Sequence, residues 1–186
     1  MKRFIVFAAA LLLAAPAAAA DGSFYAGASG GSTKAGAFCD GTAGLGIACD
    51  DTASGHRLFA GFGNRQAALE LGYFDLGKVG GSFGPNTVSV AADGFDVSGV
   101  FGVPLGRAAS IYTRLGLYHA SSKVSSNFGF GMSASNTDLT FGVGFRFDPS
   151  ERVALRLEWQ RYNGVGDASI GESEVDMLSA GVLVSF

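Results

Sequence analysis

Six ionisable residues stand out by where they fall. Glu70, Asp96, Arg114, Arg146, Arg156 and Glu158 each sit within a stretch where bulky apolar residues alternate with small or polar ones. Three carboxylates and three guanidinium groups brought onto one face would form ion pairs. In a confined space such pairs either fill a core or, if they exchange partners, gate an ion path. We read them as a buried salt-bridge network, since removing one partner of such a network leaves an uncompensated charge. Hydrolytic chemistry needs a nucleophile within reach of a base. His119 with Ser121 or Ser122 is the candidate, but strand alternation puts His119 on the apolar face and Asp138 on the opposite one. No catalytic residue is assigned, and the chain is read as a non-enzyme.

Cys39 and Cys49 lie in one Gly- and Asp-rich segment, "FCDGTAGLGIACDD". With no His or second Cys pair nearby, a disulfide is expected, and no metal site is assigned. Asp40, Asp50 and Asp51, and Asp167, Glu172, Glu174 and Asp176, form two acidic clusters whose spacing does not match an EF-hand loop. They read as solvated rims. "GFGNR" and "GLGIAC" contain G-x-G but open no helix, so no nucleotide or other cofactor is implied.

The disulfide fits an oxidising compartment, and the N-terminus supplies a route there. "MKRFIVFAAALLLAAPAAAA" has Lys2 and Arg3, an apolar run, Pro16 and an A-x-A site at Ala18–Ala20. It reads as a secretory signal peptide over 1–20, cleaved before Asp21. An uncleaved membrane anchor is the alternative. Cleavage removes two of the 13 basic residues and leaves 11 against 16 acidic ones, which gives nucleic acid no basic surface. The remaining residues, 21–186, are read as one domain.

Past the leader no apolar run reaches 18 residues, so no transmembrane helix is expected. Period 2 dominates instead. It predicts eight strands, at roughly 23–31, 55–63, 67–76, 93–103, 109–120, 137–147, 152–162 and 177–186. Each is near the ~9–11 residues that a tilted strand needs to cross a bilayer. Tight connections at 64–66, 104–108 and 148–151 alternate with long ones at 32–54, 77–92, 121–136 and 163–176. Short turns on one side and long loops on the other predict an all-β, eight-stranded antiparallel up-and-down transmembrane barrel.

Alternation does not say which face is outside; size does. The interior of an eight-stranded barrel is only wide enough for side chains to fill. It cannot hold Leu139, Phe141, Val143, Phe145, Leu155, Leu157 and Trp159 together, but it can hold Gly142, Gly144 and paired charges. The apolar face is therefore expected outside, against lipid, with Phe24, Phe62, Phe101, Phe147 and Phe186 at one interface and Tyr73, Phe95 and Trp159 at the other. An open edge cannot persist in hydrocarbon, so the last strand, with Leu178, Ala180, Val182, Val184 and Phe186 alternating, must pair with the first.

"ALELGYFDLG" (68–77), "IYTRLGLYHA" (111–120) and "LRLEWQRYNGVGDASIGESEVDMLSAGVLVSF" (155–186) resemble the barrel domain of the outer membrane protein A family. The resemblance implies a cell outer-membrane location and contact with membrane lipid and lipopolysaccharide. It also implies recognition of Phe186 and Val184 by the barrel-insertion machinery. Typical members continue into a periplasmic peptidoglycan-binding domain, whereas this chain is read as the barrel alone, a monomer. Glu70, Arg114, Arg156 and Glu158 match the family's lumenal charges in strand position. Val100 and Arg146 depart from them in type, so the family's gate is not carried over. The expected role is structural or surface-interacting, in envelope integrity or adhesion. A narrow porin-like channel or a lipid-modifying enzyme is the alternative.

Overall fold

The computed structural model describes residues 22–36, 38–40, 48–167 and 171–186; the expected leader over 1–20 lies outside them. The described strands are β1 (Ser23–Ala35), β2 (Ala48–Asp50), β3 (Thr52–Gly63), β4 (Ala67–Phe83), β5 (Asn86–Pro104), β6 (Ala109–Ser126), β7 (Gly131–Phe147), β8 (Val153–Asp167) and β9 (Gly171–Ser185). Leaving aside the three-residue β2, eight strands pair antiparallel in chain order, and β1 pairs with β9 to close the ring. At the seam Ala26 faces Val184, and the Phe186 N–H donates to the Phe24 carbonyl at 2.8 Å. The terminal aromatic is thus held in the ladder, as an environment without water requires of every backbone group.

The tight connections form where the sequence places turn chemistry. The Asn64 side-chain oxygen accepts the N–H groups of Gln66 and Ala67 at 2.9 and 3.1 Å. This is the Asx turn that lets a strand reverse in three residues.

The other end departs from expectation. The segments 77–92 and 121–136 were expected as loops, but most of their residues are strand. β4 and β5 run on until only Gly84 and Pro85 separate them, and β6 and β7 until only residues 127–130 do. Gly and Ser suggested loops because they favour turns. Here neighbouring arms satisfy one another's backbone from Lys78↔Ala91 to Phe83↔Asn86 and from Ser121↔Ser135 to Ser125↔Gly131. The tips take a left-handed backbone at Gly84 (φ 58°) and Gly129 (φ 85°), and Gly77 (φ 79°) takes one where the β4–β5 register shifts. The expected loops at 32–54 and 163–176 are shortened in the same way, by β1, β2, β3, β8 and β9.

The two faces separate cleanly. Leu71 and Leu157 are 64% and 59% exposed, while their neighbours Glu70 and Arg156 are 0% and 6% exposed. A chain that buries charge and exposes leucine needs lipid outside. Inside lie two apolar clusters, one around Phe74, Tyr118, Tyr162 and Met177, the other around Tyr25, Phe59, Ala154 and Leu183. Between them sits a polar layer.

Candidate functional site

The polar layer begins with Glu70 on β4, which is fully buried. A buried carboxylate demands charged partners, and three strands supply them. Arg57 of β3 donates to it at 3.2 Å, Arg114 of β6 lies 2.8 Å away, and Arg156 of β8 donates at 2.5 Å. The Tyr25 hydroxyl adds a fourth contact at 2.8 Å.

Each arginine other than Arg156 also reaches a second carboxylate. Arg57 grips Asp96 through Nε and Nη2 at 2.8 and 2.7 Å, and the Ser98 hydroxyl donates to the same carboxylate at 3.0 Å. Arg114 grips Glu158 at 2.9 and 3.1 Å, and the Tyr112 hydroxyl donates to it at 2.5 Å. Arg156 instead lies among rings, 5.1–5.6 Å from the centroids of Tyr25, Phe59 and Tyr112. The layer therefore balances three guanidinium groups against three carboxylates, and the Arg57–Asp96 and Arg114–Glu158 pairs make two-point contacts, which hold geometry as well as charge. Its space is set by glycine: a Cβ on Gly72 would come within 2.5 Å of Arg57 and 2.6 Å of Asp96.

Of the six expected lumenal charges, five converge and one does not. Arg146 is only half-buried, and it pairs with Asp148 at 2.7 Å, near the tight β7–β8 turn. Strand alternation gives a residue's face but not its partner: Arg146 lies in register beside Arg156, yet it turns to Asp148 rather than to Glu70. The sixth member is Arg57, which the sequence reading missed. Its signal was present: Arg57 shares strand parity with Gly61 and Gly63, and small residues mark the inner face of such a barrel.

Apolar clusters flank the layer on both sides. Phe74, Tyr118 and Tyr162 pack ring to ring at 4.6–5.9 Å on its extracellular side. Above them opens a cavity of about 330 Å³ lined by Leu76, Val90, Ala92, Val165 and Val175. At the opposite mouth a cavity of about 470 Å³ is lined by Arg65, Arg107, Arg146 and Asp148.

Outside the lumen, the His119 Nδ1 meets the Thr137 hydroxyl at 2.9 Å and the Ser121 hydroxyl lies 3.5 Å from that of Ser135, while Ser122 is buried on the inner face. Of the acidic residues, Glu174 and Asp176 pair with Arg161 at 2.7–2.8 Å, and Asp51 lies 3.9 Å from Lys34. The side chain of Asp167 lies outside the described residues. Cys39 and Cys49 are bridged. That bridge holds β2, which pairs with Gly80–Ser82 of β4.

Above the membrane β4 to β7 form a four-stranded sheet. At 17–19 residues each, they exceed the ~9–11 residues of a crossing by about seven. Its two tips are clipped together: the Asn127 side chain donates to the Pro85 carbonyl at 2.6 Å and accepts the Thr87 N–H at 3.0 Å. Phe83, Phe128 and Phe130 are 51–61% exposed there.

The profile of the OmpA-like transmembrane domain matches residues 19–186. Outer membrane protein A of Klebsiella pneumoniae is 31% identical over 130 residues, which is 66% of this chain and 38% of that protein. The chain thus spans less than half the length of that relative. The attachment invasion locus protein of Yersinia pseudotuberculosis is 36% identical over 72 residues, 39% of this chain and 37% of that protein. Among solved structures, Neisserial surface protein A superposes with a TM-score of 0.65 at 17% identity, over 89% of this chain and 99% of that one. Ail of Yersinia pestis does so with a TM-score of 0.56 at 17% identity, over 88% and 99%. A closed barrel of eight strands, charged inside and apolar outside, whose sequence matches along its described length, identifies this chain as an outer-membrane protein that belongs to the OmpA-like transmembrane domain family.

Proposed function

We propose that this chain is a surface-interacting envelope barrel without enzymatic activity. The observation that carries the reading is the four-stranded extracellular sheet, raised above the bilayer and tipped by Phe83, Phe128 and Phe130. Three phenylalanines exposed to water cost solvation free energy unless they meet something. Large apolar patches on an exterior mark interaction sites. The relative named for attachment and invasion supports the same reading. The filled lumen favours it over a porin-like channel, and the pairing of His119 with Thr137 and of Ser121 with Ser135, with Ser122 on the opposite face, favours it over a lipid-modifying enzyme.

The rest of the reading follows from location. Residues 1–20 are removed on export and 21–186 form the barrel. The barrel is a monomer in outer-membrane lipid and lipopolysaccharide. Its Leu178, Ala180, Val182, Val184 and Phe186 face is the one offered to the insertion machinery.

The test is adhesion of cells displaying the chain to an epithelial monolayer, with folded protein matched by gel shift. Replacing Phe83, Phe128 and Phe130 together by Ser should bring adhesion down to that of cells lacking the chain. Display that never raises adhesion above that baseline would contradict the reading.

A further inference from the structure

Above the charge layer the lumen changes character. The inward positions there are mostly apolar: Leu76 and Val79 of β4, Val90 and Ala92 of β5, Val165 of β8 and Val175 of β9. They line the cavity of about 330 Å³ at the extracellular end, over the packed rings of Phe74, Tyr118 and Tyr162.

Two bulges build this wall. β4 shifts register against β5 between Asp75 and Lys78, and β8 shifts against β9 between Tyr162 and Val165. Bulges re-aim the side chains that follow them. Unbroken alternation from Leu76 would turn Lys78 into the lumen. Instead Lys78 is exposed and Val79 lines the cavity. Across the barrel, the step from Tyr162 to Val165 likewise brings a valine to the wall, where alternation alone would bring Gly164.

One polar group interrupts the apolar wall. Ser122 of β6, in register with Ala92, is only 2% exposed and lines the cavity. The other buried hydroxyl of the lining, on Thr33, donates to the Leu76 carbonyl at 2.7 Å. The Ser122 hydroxyl makes no hydrogen bond among the described residues. A buried hydroxyl left without a partner costs free energy, and a guest that reaches it recovers that cost.

We propose that this cavity binds an uncharged, mainly apolar small molecule that carries one hydroxyl or carbonyl for Ser122. Size sets its scale. Benzene occupies an engineered apolar cavity of about 150 Å³, so about 330 Å³ admits a guest of about a dozen carbon atoms. Small ligands favour cavities of this range, apolar with a few polar groups, and barrel mouths are among the places they bind. Charge sets its class. No cationic side chain is among the described lining residues, and Glu172 stands among them. An anionic head would lose its water without gaining a partner. The guest is held rather than passed through, because the packed rings and the charge layer fill the lumen beneath it. The site is separate from Phe83, Phe128 and Phe130, so it stands apart from the adhesion reading.

The probe is 2-naphthol, two fused rings bearing one hydroxyl. It is added to the full barrel in nanodiscs of deuterated lipid, with the Leu and Val methyl groups labelled for NMR. Contacts between naphthol protons and the methyl groups of Val90, Val165 and Val175 should appear and saturate. Val143 and Leu157, which face lipid, report guest dissolved in the bilayer, and their response should not saturate. Naphthalene, which lacks the hydroxyl, should bind about fivefold more weakly, the worth of one hydrogen bond. Ser122→Ala should erase that difference. 2-Naphthoate, alike in shape but anionic, should bind more weakly than 2-naphthol by about tenfold. Ala92→Phe, which fills the cavity, should abolish the saturable contacts while the gel shift shows a folded barrel. Should that variant not fold, Ser122→Ala carries the test. Contacts confined to Val143 and Leu157 overturn the proposal. So does a preference for 2-naphthol that survives in folded Ser122→Ala, or 2-naphthoate bound as tightly as 2-naphthol.

Discussion

Glu70 is the residue on which the lumen depends most. It serves Arg57, Arg114 and Arg156 at once and is itself fully buried. Glu70→Gln should therefore destabilise the folded barrel by about 3–5 kcal/mol, the cost of an unpaired buried charge, read as a lower urea midpoint in lipid vesicles. Arg114→Met should do comparable damage, but Arg114→Met with Glu158→Gln should recover part of it, because the layer is again balanced. A double variant no better than the single ones would show that Arg114 and Glu158 are not coupled. The outer face obeys the opposite rule. Leu157, one position from Arg156, faces hydrocarbon, and Leu157→Arg should cost about 2–4 kcal/mol near the midplane. Both faces were legible from the sequence through alternation. The partner each charge takes was not, which is why Arg146, which pairs with Asp148, was grouped with Glu70. Arg57 was overlooked because Phe59 gives its face an apolar look. In the structure that ring carries Arg57 and Arg156 over it at 5.1 Å.

Among the elements, β9 and β2 make contrasting predictions. β9 must close the barrel, and the N–H of Phe186, the residue after it, completes the seam with Phe24. Deleting Phe186 should lower both outer-membrane insertion and the heat-modifiable gel shift of the folded protein; wild-type amounts of folded protein would contradict this. β2 lies outside the ring, so replacing Cys39 and Cys49 by Ser should leave the gel shift intact. Amide exchange should rise within Gly80–Ser82 at the alternate N–H groups that point to β2 and stay unchanged at those that point to β5. A loss of the folded band would mean that the bridge supports the barrel itself. Strand existence and order were readable because each crossing carries its own apolar stripe. The ends of β4 to β7 were not. Above the bilayer the apolar stripe stops, and Gly- and Ser-rich arms look the same whether or not they pair.

At the scale of the whole molecule, everything rests on an inside-out arrangement: charges and glycines within, leucine and aromatic residues toward lipid. Size alone forced that choice in the sequence, and exposure in the structure agrees with it. The chain carries one tryptophan, Trp159, on the outward face of β8, edge-on to Phe141 at 5.7 Å. Its fluorescence reports directly on what lies outside. The barrel is to be folded into vesicles of ordinary lipid and of lipid brominated along its acyl chains, and the emission compared. Bromine quenches only on close approach, so the account predicts that most of the Trp159 emission is lost in the brominated vesicles. Equal emission in the two, with the gel shift confirming a folded barrel, would place Trp159 away from lipid and contradict the arrangement.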